Sequence, residues 1–251
     1  MAGDRDFYVG YQKHAPPDLA RFVRRLVVMV VVLAAALGAV LVAVQNRFDP
    51  GVFEFGVVKS FEGVLRERPH PLLTLDPPLE VGDAKTSRFY LVAFGKHGAD
   101  REVAGLDGRR IRLQGSLIYR EGETMIEVAS GSVEPLEPTP ATAIEGTDLG
   151  TQTLRGEIVD SKCFLGVMKP GRGKPHRACA TRCISGGIPP ILRVETAAGD
   201  FRHFLLVDQD GHAVNDRILD LVAEPVEITG RVFRQGDLLT LLADPADYHR
   251  L

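Results

Sequence analysis

The chain has 251 residues, long enough for two small domains plus an N-terminal segment. Thirty Lys and Arg stand against 33 Asp and Glu, a formal net charge of -3, with no Trp and only 7% aromatic residues. That composition has neither the basic groove nor the stacking aromatics that single-stranded nucleic acid demands, so no nucleic-acid partner is expected. A run of 19 residues without a charge, Leu26 to Val44, instead makes the expected partners a membrane and other membrane or periplasmic proteins.

Residues 1–25 read as a cytoplasmic segment and 26–45 as a transmembrane helix. Leu26 to Val44 contains no charged residue, and at ~1.5 Å per residue this run nearly matches a ~30 Å hydrocarbon core. No small-residue cleavage pattern follows in Val44-Gln45-Asn46-Arg47, which argues against a removed signal peptide. Lys13, Arg21, Arg24 and Arg25 precede the apolar run, whereas only Arg47 and then Lys59 follow it. The positive-inside rule therefore predicts a bacterial inner-membrane anchor, with a cytoplasmic N-terminus and the rest of the chain in the periplasm.

Beyond the anchor, three landmarks occur twice in the same order. Phe61-Glu-Gly-Val-Leu is matched by Leu154-Arg-Gly-Glu-Ile, Arg88-Phe-Tyr-Leu-Val by Arg202-His-Phe-Leu-Leu-Val, and Arg110-Ile-Arg-Leu-Gln-Gly by Pro225-Val-Glu-Ile-Thr-Gly. Gly63 and Gly156 are 93 positions apart and Gly115 and Gly230 are 115, so the second copy carries about 20 extra residues between its first two landmarks. Apolar and polar residues alternate through both copies, with turns at Glu121-Gly122 and Gln235-Gly236-Asp237. Gly115 and Gly230 sit inside strands, where glycine marks a bulge or the tight bend that closes a small barrel.

The predicted fold is an all-β soluble part: two tandem OB-like small β-barrels after one transmembrane helix, the second carrying a short helical Cys/His insertion. The first domain is placed at 50–135, a Pro- and Thr-rich linker at 136–152, and the second domain at 153–251 with its insertion at 160–188.

All three cysteines fall in that insertion. Pro175 is a good first helical residue and Gly186-Gly187 a terminator, so a helix over about 175–185 is expected. It would carry His176, Cys179 and Cys183 on one stripe, with Cys163 delivered from the preceding strand. Thiolates and an imidazole converging in this way make a ligand set for copper or zinc. Cys179-Ala-Thr-Arg-Cys183 with its nearby histidine resembles the thiol copper sites of periplasmic copper chaperones and of oxidase copper centres. A structural disulfide is the rival: Cys179 and Cys183 one helical turn apart cannot pair, which leaves Cys163 with Cys179 or with Cys183. Either pairing leaves one thiol over in an oxidising compartment.

Arg172 and Lys174, among glycines before the helix, form a candidate anion site. Asp160 and Lys162 beside Cys163 offer an acid and a cation near a reactive thiol, but as the polar end of a strand they need no function. An N-terminal anchor followed by a periplasmic barrel resembles the membrane-anchored OB-fold haem chaperone of cytochrome c maturation, but the His-x-x-x-Tyr attachment motif of that family is absent and the likeness is architectural. The expected function is an accessory or assembly subunit of a membrane redox system with a Cys/His metal or redox site. The alternatives are a structural interaction subunit with a stapled insertion, or a thiol-dependent oxidoreductase. The lack of a C-x-x-C pair ranks a non-catalytic role ahead of an enzyme.

Overall fold

The computed structural model describes residues 15–45, 51–82, 84–120, 122–136 and 146–251. The first element among the described residues is a helix, α1 (Pro17–Gln45), with proline at its first position. It starts earlier than the expected 26–45, and at ~1.5 Å per residue it extends about 44 Å, long and apolar enough to cross a membrane.

From residue 51 onward the chain builds two closed barrels. The first contains β1 (Val52–Phe53), β2 (Lys59–Arg66), β3 (Leu72–Val81), β4 (Ala84–Val92), β5 (Arg110–Arg120), β6 (Glu123–Val128) and β7 (Glu134–Pro135). The second contains β8 (Thr147–Asp160), β9 (Pro190–Glu195), β10 (Phe201–Val207), β11 (Pro225–Gln235), β12 (Leu238–Leu242) and β13 (Tyr248–Arg250). The expected linker at 136–152 changes accordingly. Residues 137–145 lie outside the described part, while Thr147 to Gln152 already form the start of β8 and pair with β11. They belong to the sheet because Gln152 is the register partner of Gly230.

In the first barrel the order β5-β2-β3-β4-β6 closes through a β5–β6 pairing, and in the second β11-β8-β9-β10-β12 closes through β11–β12. The third and fifth strands of each barrel, β4 with β6 and β10 with β12, run parallel; every other pairing around each barrel is antiparallel. This is the Greek-key order of an OB fold, twice. The registers coincide residue by residue. Gly63 faces Ile111 as Gly156 faces Val226, Leu73 faces Phe89 as Leu192 faces Phe204, and Tyr90 faces Met125 as Leu205 faces Thr240. The offset between copies is 93 on the first strand, 119 on the second (Leu73 to Leu192) and 115 thereafter (Phe89 to Phe204), so 26 residues enter the first connection and four leave the next hairpin.

The repeated glycines have a steric cause. At Gly115 and Gly230 the fourth strand passes from one neighbour to the next, and an added Cβ would lie 2.5 Å from the Glu127 or the Leu242 carbonyl oxygen. Only glycine permits that approach.

Each barrel encloses its own core, around Phe61, Phe89 and Leu113 in the first and Ile158, Phe204 and Val226 in the second. A third buried cluster joins them: Tyr90, Ile118 and Met125 of the first barrel pack with Phe164, Leu165 and Cys183 of the insertion and with Leu205 and Leu238 of the second. Burying this apolar surface is the driving force that fixes one barrel on the other.

Candidate metal centre

The insertion leaves the barrel at the end of β8, through three consecutive buried polar residues, Asp160, Ser161 and Lys162. A single wide helical turn follows, Cys163–Val167, then a 3-10 turn, Lys174–His176, then α2 (Arg177–Ser185). The helix forms near the expected residues and turns Ala180 and Ile184 into the second barrel's core. Cys183 is thereby sent to the inter-barrel cluster, with Cys179 half-buried one turn away.

Asp160 organises the segment from both ends. One carboxylate oxygen accepts the Cys163 N–H at 2.8 Å, and the other lies 2.9 Å from His176 Nε2. The first residue of the turn and the threshold of the helix are thus held by one fully buried side chain. In the sequence Asp160 reads as an acid beside Cys163 or as a strand's polar end, and nothing local indicates that its two oxygens serve residues three and 16 positions away.

Three of the four expected ligands converge. Cys163 Sγ is 4.0 Å from Cys179 Sγ and 3.9 Å from Cys183 Sγ, and all three sulfurs lie within 4.8 Å of one another. The thiols are free, so neither expected disulfide is formed, although Cys163 touches both candidate partners. His176 stands next to this set: it shares a group with Asp160 and Cys163, and its Nε2 is given to the carboxylate.

A residue of the first barrel completes the cluster. Lys96 Nζ lies 2.7 Å from Cys179 Sγ and 3.6 Å from Cys183 Sγ. Its loop is docked by the Gly98 N–H donating to the Gly186 carbonyl at 3.0 Å. It is fastened again by buried Lys162, which donates to the Ala93 and Gly95 carbonyls at 2.8 Å each and pairs with Glu127 at 2.5 Å. Lys96 carried no sequence signal: it belongs to the copy without cysteines, 83 positions before Cys179.

These contacts divide the thiols electrostatically. The hydrogen bond to Cys183, burial and the Asp160 charge push the Cys163 thiol far up. Accepting that hydrogen bond, with Lys96 beside it, pulls Cys183 down. Lys96 itself, held chiefly by its bond to Cys179, rises to about 12. Of this pair it is therefore Cys183, beside the Lys96 ammonium, that gives up its proton more readily.

The expected anion site lies in the turn before α2. Arg172 and Lys174 are both exposed, and the Gly173 amide between them donates to the Glu157 carboxylate. His203, outside the cluster, packs its ring 5.2 Å from that of Phe164.

No protein-family model and no curated protein matches the chain. Among solved structures it is similar to the wild-type single-stranded DNA-binding protein from Thermus aquaticus, with 16% identity over 80% of this chain and 93% of that one at a TM-score of 0.24. A deletion variant of the same protein matches at 14% identity, 81% and 89% coverage and a TM-score of 0.23. At such scores the likeness carries no argument about what this chain binds. The OB assignment rests on strand order and register.

Proposed function

We propose that this is a single-pass membrane protein, N-terminus cytoplasmic and barrels periplasmic, acting as an accessory or assembly subunit of a membrane redox system that holds a soft metal ion on Cys163, Cys179 and Cys183. The convergence of the three sulfurs carries the reading. Three thiolates each ~2.3 Å from one ion stand about 3.8 Å apart in a tetrahedral site and about 4.0 Å apart in a trigonal one. The separations from Cys163, 3.9 and 4.0 Å, need almost no rearrangement to reach that geometry. Sulfur donors favour copper(I) or zinc, and the Lys96 ammonium offsets part of the charge of three thiolates. The arginine asymmetry around α1 supports the topology.

A second reading has its own support, since Cys163 is in contact with both other thiols and Cys183 is the most acidic of the pair it forms. Cys163 and Cys183 would then give two electrons and two protons to a partner disulfide, forming one bridge here while the partner's opens, and Cys179 would attack that bridge in turn.

Metal analysis and thiol counting on protein purified anaerobically from its native membrane test both readings. About one ion per chain is expected, lost in Cys163→Ser, Cys179→Ser and Cys183→Ser alike while the β-sheet circular dichroism persists. Metal-free wild type in which one pair of cysteines oxidises reversibly supports the relay. Metal-free wild type in which two variants lose stability together and the third is silent overturns both in favour of a stapled loop.

A further inference from the structure

A second site lies away from the sulfurs, in a cleft of about 1000 Å³ between the two barrels. Its polar side comes from the first barrel: Arg66, Arg68, His70, Arg88 and Arg110 face it against a single carboxylate, Asp76. The opposite wall is apolar and comes from the second barrel, with Leu205, Phe233 and Leu242 among its residues. Arg68 and His70 belong to the connection between the first two strands, one of the loops through which OB barrels bind ligands.

Arg110 is paired with Glu62 at 3.9 Å and Arg88 has Asp237 nearby, whereas the charges of Arg66 and Arg68 are not balanced. Among the described residues the side chains of Arg66 and Arg68 make no hydrogen bond or ion pair; around Arg88 burial disfavours the charge, Asp237 favours it and Arg66 disfavours it to a smaller extent. Arg88 is only 7% exposed; it donates from Nη1 to Gln235 Oε1 at 3.1 Å, while its Nε has no partner. His70 is 5% exposed with Nε2 also unpartnered. Buried polar atoms are normally satisfied, so two unsatisfied ones on the cationic side of one cleft point to a group that binds there. The volume is at the upper end for small-ligand sites, which combine an apolar lining with a few placed polar groups.

We infer that this cleft binds a small amphipathic anion, its phosphate or carboxylate held by Arg66, Arg68 and Arg88 and its apolar body laid against the second barrel's wall. The site shares no residue with the thiolate cluster and does not depend on the metal reading. Because both walls are needed, binding also ties the barrels together.

Calorimetric titration of the full chain in neutral-lipid nanodiscs, with empty nanodiscs subtracted, tests this with 1-naphthyl phosphate, inorganic phosphate and naphthylmethylammonium. Naphthyl phosphate is expected to bind at least about tenfold more tightly than either of the others. Arg66→Gln with Arg68→Gln, both exposed positions, should weaken it by about tenfold or more, whereas Arg101→Gln with Arg109→Gln, the same charge loss outside the cleft, should leave it unchanged. Dihexanoyl phosphatidate binding more tightly still identifies a lipid as the source of the phosphate; weaker binding identifies a soluble ester. Equal binding of the ammonium compound, no loss in the Arg66/Arg68 variant, or equal loss in both double variants overturns the proposal.

Discussion

The connection between the first and second strands differs between the barrels more than any other part of the repeat. In the first it is five residues, 67–71, and in the second 29, 161–189, yet the strands on either side keep the same partners. A barrel closed by strand pairing evidently does not require this loop to have any particular length, which leaves it open to chemistry. The short connection supplies Arg68 and His70 to a cationic cleft, and the long one supplies three thiols and the apolar wedge of Phe164. The long one has also become structural, because it fills the space between the barrels.

Replacing 161–189 by the five-residue connection of the first barrel should give the largest effect. The first barrel keeps its core, the second loses only Ala180 and Ile184 from its own, and the shared cluster loses Phe164, Leu165 and Cys183, so calorimetry should resolve two transitions in place of one. Phe164→Ala alone should cost about 3–5 kcal/mol in chemical denaturation. A single transition at the wild-type temperature after the swap would mean that the insertion does not join the barrels.

Lys162→Met should come next. It leaves Glu127 and two carbonyls without their partner, and breaking a buried pair from one side costs about 3–5 kcal/mol. Because the same contacts hold the loop of Lys96, alkylation of Cys179 should change in the variant as well.

In the short connection, burial lowers His70 to about 4. A folded-state value below the ordinary 6.5 means the contribution to stability is present above about pH 6.5 and is lost as pH falls through 4. The loss approaches about 3 kcal/mol. Urea midpoints followed from pH 7 to 4 should fall less steeply in His70→Gln, and an unchanged slope would place the acid sensitivity elsewhere.

The smallest effect on stability belongs to Lys96→Met, an exposed position. Its consequence is chemical: without the ammonium, Cys183 loses one cause of its lowered pKa, and the pH profile of its iodoacetamide reaction should move upward. Profiles that superpose would remove Lys96 from the site.

Much of this architecture is written locally. Alternating apolar residues mark the strands, Gly63, Gly115, Gly156 and Gly230 mark the places where backbones cross too closely for a Cβ, and the charge-free run from Leu26 marks the apolar helix. Such features depend on residues within one strand or one turn, so periodicity and spacing suffice to find them. The cysteine segment was visible for the same reason, as was the helix that brings Cys179 and Cys183 together. The tertiary structure alone decided that Cys163 reaches both of them, that His176 turns to Asp160, that Lys96 comes from the other copy, and that arginines of one barrel face an apolar wall of the other. Each of these joins residues distant in the chain whose approach is set by burying Phe164 and its neighbours between the barrels, and no local pattern records how two closed surfaces dock.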